Sequence, residues 1–362
     1  MKKPILTVLS LIILISVSSP FFNVNKDNGS IDKEVINDLS ISDSIVEWSR
    51  FWGADQYETG KSLIIDSNGY IYVGGETNSF GTGDYDLFLI KYNAFGDEIW
   101  NITIISAGND GFQALALDSS NNIYILGYSF SGVFPNIDQD TFLFKFNSSG
   151  NLLWQTMWGG SDRDYGSDIL IDSLDNIYIA GDTNSYGAGS SDVFIIKYNS
   201  NGTKLWESIW GGTDSEDCSK IAFDSEENLY ITGGTRIGSY KSIYLVKYNN
   251  SGSIKWESIW SRGFTGDNSY DMLIDSSDNI YITGSTTYWS SNVRSVVLIK
   301  FNNRGDELWW KSWRGISWGY DSIYGEVLAL DSVENIYIAG SCTYQFNHDR
   351  DVFLIKVDSL GK

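Results

Sequence analysis

An all-β fold, a six-bladed β-propeller with four antiparallel strands per blade, is predicted by three features of the 362-residue sequence. A motif of the form Asp-Ser-x-x-Asn-Ile-Tyr-Ile returns six times, at Asp66, Asp118, Asp172, Asp224, Asp275 and Asp331. The steps between copies are 52, 54, 52, 51 and 56 residues, a blade-sized period far longer than one coil of a β-helix. Each copy holds short runs that are apolar at both parities, so both faces of each sheet are expected to be buried.

The elements follow in chain order. Lys2 and Lys3 precede an apolar run from Ile5 to Val17, followed by Ser18 and Ser19. Charged, apolar and small residues in that order predict a signal peptide over residues 1–19, with an uncleaved anchor as the alternative. Residues 20–44 are polar and predict a linker; the propeller is expected over 45–362. Within each unit the first strand resembles Leu63-Ile64-Ile65 and the second Ile71-Tyr72-Val73. The third resembles Leu87 to Tyr92 and the fourth Leu153 to Trp158. Asp-Ser-x-x-Asn and Asn-Ser-x-Gly are turn chemistry between them.

Landmarks recur at fixed places. A Tyr follows each Asp by six residues (Tyr72, Tyr124, Tyr178, Tyr230, Tyr281, Tyr337). A Gly comes three later (Gly75, Gly127, Gly181, Gly233, Gly284, Gly340). Then come Lys91, Lys145, Lys197, Lys247, Lys300 and Lys356, each followed at five residues by Gly96, Gly150, Gly202, Gly252, Gly305 or Gly361. Trp100, Trp154, Trp206, Trp256 and Trp309 complete five units. The sixth Trp is at the other end, because Glu47 to Gly53 matches Leu153 to Gly159 position for position. The segment around Trp48 is therefore expected to close the last blade and remove a free ring edge. The repeated Trp are expected to fill the wedges between blades. The repeated Lys is expected in an ion pair, with Asp86, Asp140, Asp192 or Asp351 five residues upstream as the candidate partner, or on a solvated edge.

These motifs resemble the SBBP β-propeller repeat family over residues 45–362. The resemblance implies an exported propeller that serves as a repeat module of surface or secreted proteins, and it transfers no catalytic residue. Two departures stand: the family name implies seven blades where six are counted, and the Trp-Gly-Gly ending becomes Trp260-Ser261-Arg262 and Trp313-Arg314-Gly315 in the last units. Kelch repeats are the second resemblance, but their double Gly occurs only at Gly74-Gly75 and Gly233-Gly234.

Composition narrows function. Lys and Arg number 25 against 46 Asp and Glu, a net charge of −21 that excludes ordinary nucleic-acid binding. A single His argues against His-based metal or triad chemistry, and two Cys in different repeats predict no disulfide. Sequons at Asn28, Asn101, Asn147, Asn201 and Asn249 are glycan acceptors or simply turn residues.

The Asp-to-Tyr and Lys-to-Trp spacings are constant, whereas the other two connections vary, so recognition is expected on the face that carries them. That face is acidic. Glu58, Asp110, Asp164, Glu216, Asp267 and Asp321 open the first strands, and Ca²⁺ is the cation such oxygen ligands suit; solubility charge is the plain alternative. A second candidate site gathers Tyr288, Trp289, Arg294, Trp318, Tyr320, Asp321, Tyr344, Phe346, His348 and Asp349, flat rings beside polar groups that suit a sugar or a peptide. Packing between blades is the competing reading of Trp289 and Trp318. The sequence thus predicts a monomeric, secreted or cell-surface, non-catalytic module for an extracellular glycan, peptide or protein, with no cofactor. Alternatives are a secreted carboxylate-dependent glycan hydrolase or lyase, or a Ca²⁺-binding surface-layer or adhesion component.

Overall fold

The computed structural model describes residues 48–81, 85–104, 108–131, 138–238, 240–262, 266–287, 293–314, 320–344 and 350–362. The segments expected as signal peptide and linker, with Asn28, lie outside them. Every regular element described is a β-strand, and the 23 strands form six antiparallel sheets.

The first sheet comprises β1 (Glu58–Ile65), β2 (Ile71–Thr77), β3 (Asp86–Tyr92) and β4 (Glu98–Ile104). The second comprises β5 (Asp110–Leu117), β6 (Ile123–Ser131), β7 (Asp138–Phe146) and β8 (Leu152–Trp158). The third comprises β9 (Asp164–Ile171), β10 (Ile177–Thr183), β11 (Asp192–Tyr198) and β12 (Lys204–Trp210). The fourth comprises β13 (Glu216–Phe223), β14 (Leu229–Ile237), β15 (Tyr240–Tyr248) and β16 (Ile254–Trp260). The fifth comprises β17 (Gly266–Ile274), β18 (Ile280–Thr287), β19 (Arg294–Phe301) and β20 (Glu307–Arg314). The sixth has three strands, β21 (Tyr320–Leu330), β22 (Ile336–Tyr344) and β23 (Arg350–Val357). Among the described residues the fourth strand expected there from the Trp48 segment is not formed: residues 48–53 are not in a strand, and β23 pairs only with β22.

Local chemistry explains the repeats. The turn Asp folds its own loop, as when Asp118 Oδ1 accepts the Ser120 and Asn122 amides at 3.0 and 2.8 Å. One turn residue in each copy has positive φ: Gly69, Asn121, Asp175, Glu227, Asp278 and Glu334. The repeated Gly has a different cause. The first strand bulges opposite it and drives a carbonyl into the space of a side chain. A Cβ on Gly181 would lie 1.9 Å from the Tyr165 carbonyl oxygen, and one on Gly233 1.7 Å from that of Asp217.

The core lies between sheets. Leu143 and Tyr124 of the second sheet join Ile169, Ile177 and Ile179 of the third in one buried cluster, and comparable clusters join the other consecutive pairs. A polar clasp accompanies each cluster. Lys145 Nζ lies 3.1 Å from Asp118 Oδ2 in its own sheet and donates to the Ser200 carbonyl of the next at 3.0 Å. Trp154 Nε1 donates to the same carbonyl at 3.2 Å, and its ring covers Gly202. Lys91 and Trp100 share the Ser148 carbonyl in the same way. The repeated Lys pairs with the turn Asp in the second to sixth sheets, whereas the sequence offers an upstream Asp as the expected partner. Sequence order hides this, because the two turns meet only once the strands are paired. The Trp rings fill the inter-sheet wedges as expected, each near the Tyr of its own sheet, such as Tyr124 and Trp154 at 5.9 Å. Cys218 and Cys342 are buried and are not joined by a disulfide.

Candidate functional site

The first strands β1, β5, β9, β13, β17 and β21 touch one another in succession and form the inner wall of the array. The acids predicted for a cation site open four of them and stand second in β17, and four of the five are tied within their own sheet. Glu58, Asp164, Glu216 and Asp267 accept from Thr77, Thr183, Thr235 and Thr286 at the end of the second strand. Asp164 and Glu216 also accept the Gly160 and Gly212 amides at 2.7 and 2.8 Å, which accounts for the Trp-Gly-Gly ending. Asp110 is buried opposite Ser129. Asp321 is placed in β21. Among the described residues no group of three or more His, Cys, Asp or Glu is arranged to hold a metal ion.

Of the predicted aromatic sector, Tyr288, Trp289, Trp318, Phe346, His348 and Asp349 lie outside the described residues. Tyr320 and Tyr344 are register partners at the ends of β21 and β22. Arg294 opens β19; its Nη1 donates to Ser285 Oγ at 3.3 Å, and its guanidinium lies 5.5 Å from the Tyr324 ring centre. Tyr270 Oη lies 3.2 Å from the same Ser285 hydroxyl.

Continuing round the inner wall, the next cluster was missed by sequence reasoning. Tyr128 of β6 extends over Gly111, where a Cβ would fall 2.0 Å from its ring. It meets Tyr165 of β9 with ring centres 4.8 Å apart. Arg163 lies 5.0 Å from the Tyr165 ring centre. Asp182, the register partner of Tyr165, accepts the Cys218 amide at 3.1 Å. Beyond it Asp217 accepts the Gly234 amide at 2.8 Å and pairs with Lys241 Nζ at 2.5 Å. Burial pushes the Asp182 carboxyl up to about 6; the Asp217 charge adds to the rise, while the Cys218 amide, Arg163 and Lys241 oppose it. Burial pushes the Tyr165 hydroxyl up to about 12, helped by Tyr128 and Asp182.

A second layer lies four residues before the turn Asp. Lys220 Nζ contacts Asp168 Oδ2 at 3.1 Å, and Asp271 Oδ2 accepts the Leu328 amide at 2.7 Å. Asp168, and then Asp271, raise the Lys220 ammonium above its usual range against the effect of burial. The arrangement offers a paired aromatic face, a guanidinium, carboxylate acceptors and one carboxyl that exchanges its proton near neutrality. The available signal lay in the motif itself. Four residues after each repeated Tyr stand Glu76, Tyr128, Asp182, Gly234, Ser285 and Ser341, a variable position inside a constant frame. A separate open groove of about 350 Å³ lies toward the outer strands β12 and β16, with Trp210, Asp214, Arg236, Glu257 and Ile259 in its lining.

Repeated antiparallel sheets with inter-sheet cores and a variable inner wall define a β-propeller repeat protein. The SBBP β-propeller repeat matches residues 47–81 and 158–187, and a β-propeller domain of unknown function (DUF5122) matches 175–204. An uncharacterised WD repeat-containing protein of Acanthamoeba polyphaga mimivirus is 25% identical over 187 residues, 41% of this chain. The regulatory protein FlaEY of Caulobacter vibrioides is 25% identical over 112 residues, 27% of this chain. The matches span only 13% and 12% of those two proteins. In three dimensions the chain resembles a PL25 ulvan lyase bound to -[GlcA(1-4)Rha3S]-, with TM-score 0.52, 13% identity, and coverage of 86% of this chain and 83% of that one. It also resembles the GH93 α-L-arabinofuranosidase of Fusarium graminearum with arabinobiose, with TM-score 0.50, 9% identity, and coverage of 82% and 92%. At these identities the likeness is one of fold.

Proposed function

We propose that this protein is an exported six-bladed propeller that recognises an extracellular glycan or protein at the inner-wall cluster around Tyr165. The single observation that carries the reading is the Tyr128–Tyr165 pair, edged by Arg163 and followed by Asp182 and Asp217, on strands held rigid by the inter-sheet clasps. Stacked rings bury the apolar face of a sugar, while carboxylates and a guanidinium bond its hydroxyls. The test is a glycan and peptide array, followed by titration of the best ligand. Tyr165→Ala is expected to weaken binding about tenfold, the worth of about 1.4 kcal/mol of stacking, without unfolding the protein. Unchanged affinity in this variant removes the cluster as the site.

One observation favours a glycan-cleaving alternative. Asp182, held near 6, carries and releases a proton over the range where a general acid is useful. In that reading, polysaccharide incubated near pH 6 gains new chain ends, and Asp182→Asn abolishes the gain while binding persists. Binding with no new chain ends supports the recognition module.

A further inference from the structure

Trp52, Trp158 and Trp210 hold one position of the repeat. Each packs on a third-strand ring of the sheet that follows it: Phe88 at 4.6 Å, Phe194 at 4.3 Å and Tyr244 at 4.4 Å between ring centres. Two of the three carry a second ring, from the loop between the second and third strands. Phe80 lies 5.0 Å from Trp52 and Tyr186 lies 5.3 Å from Trp158, at interplanar angles of 42° and 41°. Tyr186 Oη also donates to the Gly159 carbonyl at 2.8 Å.

That loop is built twice from Asn-Ser-aromatic-Gly, at Asn78 to Gly81 and at Asn184 to Gly187. Its Ser hydroxyl accepts the Gln56 amide at 2.9 Å in the first case and the Asp162 amide at 3.0 Å in the second. In the fourth sheet Arg236-Ile237-Gly238 takes the place of Asn-Ser-aromatic. Thr235 and its register partner Ser242 are seven residues apart, against nine for Thr77 and Asp86 and for Thr183 and Asp192. The shorter loop turns at Gly238, with φ 65°, where the other two loops carry their ring. Among the described residues no second ring lies on Trp210. The groove of about 350 Å³ opens beside it instead, lined also by Gly211, the counterpart of the Gly159 whose carbonyl Tyr186 uses.

We propose that this groove takes a tyrosyl side chain of a partner polypeptide, laid on Trp210 as Tyr186 is laid on Trp158, at a site separate from the Tyr165 cluster and independent of it. The incoming ring completes an aromatic trio of which Trp210 and Tyr244 are already in place. The Gly211 carbonyl is the acceptor for its hydroxyl. Gly212 keeps the floor open, since a Cβ there would meet nothing within 4 Å. Ile237 replaces Ser185, so the bond that Ser185 donates to Asp164 Oδ2 at 2.7 Å has no equivalent on Glu216. That leaves the Glu216 carboxylate, which lines the groove, able to accept an amide of the partner chain. Ile237 and Ile259, 51% and 49% exposed, give the groove apolar edges. Asp214, Glu216 and Glu257 outnumber Arg236 in the lining, which favours a Lys or Arg next to the tyrosine.

The test is a titration of the capped tripeptide Lys-Tyr-Gly, up to millimolar concentration, into the isotope-labelled full chain. The reporter is the NMR signal of the Trp210 indole N–H, which donates to Glu257 Oε2 at 3.0 Å and is assigned by its loss in Trp210→Leu. A saturable shift of that signal is expected, unchanged in Tyr165→Ala and smaller with Glu-Tyr-Gly. Gly212→Phe, which fills the groove and keeps Trp210, is expected to weaken binding about tenfold. Tyr186→Ala is expected to open the matching slot beside Trp158 and bring the Trp158 indole into the response. No shift in the unmodified protein overturns the proposal, whatever the variants do. Full binding by Gly212→Phe overturns it by placing the peptide elsewhere. A response to cellobiose with none to the peptide gives the groove to sugars, and a Trp210 signal that moves on dilution alone gives it to a second copy of the chain; either result contradicts a tyrosyl partner.

Discussion

Asp182 and the turn aspartates are carboxylates with opposite linkage to pH. Asp182 has a folded pKa near 6, above the ordinary carboxylate value, so the folded state binds its proton more tightly than the unfolded chain. That contribution is neutral in acid and becomes destabilising as pH rises from about 4 through 6. Asp182→Asn is therefore expected to raise the urea midpoint at pH 7 and leave it unchanged at pH 4. A variant less stable at pH 7 contradicts the assignment. Burial alone would raise the Asp118 carboxyl too, but the Asn122 bonds and Lys145 outweigh it and hold it below the usual range. Asp172 and Asp224 behave alike. Their stabilisation is present above the unfolded carboxylate range and is lost as pH falls through their lowered values, so the protein is expected to lose stability steeply below about pH 4. At Gly181 the constraint is steric. Gly181→Ala sets a methyl group against the Tyr165 carbonyl and is expected to cost about 1–3 kcal/mol in urea unfolding.

The strand is the scale at which the sequence was most legible. Period, parity and turn residues located the strands of each unit, because every turn Asp encodes its own loop through hydrogen bonds two and four residues on. Bulges in the first strands were not legible, since nothing in β9 alone reports that its carbonyl will meet Gly181. The destination of the repeated Lys was equally hidden, because its carbonyl acceptor lies some 55 residues away in the next sheet. Trp positions were read correctly as wedge fillers. Trp154→Ala removes a ring from Gly202 and a hydrogen bond from the Ser200 carbonyl at once. It is expected to cost about 3 kcal/mol, read as a lower melting temperature with the strand content of the circular dichroism spectrum unchanged below the transition.

Across the whole molecule, constant and variable positions separate by depth and by end. The clasps of Lys, Asp and Trp hold neighbouring sheets at a fixed angle, and their buried ion pairs make them sensitive to loss of one partner. Lys145→Met leaves Asp118 buried without its cation and is expected to cost about 3–5 kcal/mol. On this frame the inner wall changes from sheet to sheet and gathers the Tyr128, Tyr165, Asp182 and Asp217 cluster. The sequence pointed to the variable-loop face. It did not point to this cluster, because its members come from three sheets and fall on two positions of the repeat, Tyr128 with Asp182 and Tyr165 with Asp217, whose residue types change from unit to unit. The most direct measurement is a side-by-side titration of one array-selected ligand against the parent protein, Tyr165→Ala, and Ile259→Ala in the outer groove. The account predicts about tenfold weaker binding for Tyr165→Ala alone. Loss of binding in Ile259→Ala with Tyr165→Ala unaffected would contradict it and move the site to the rim.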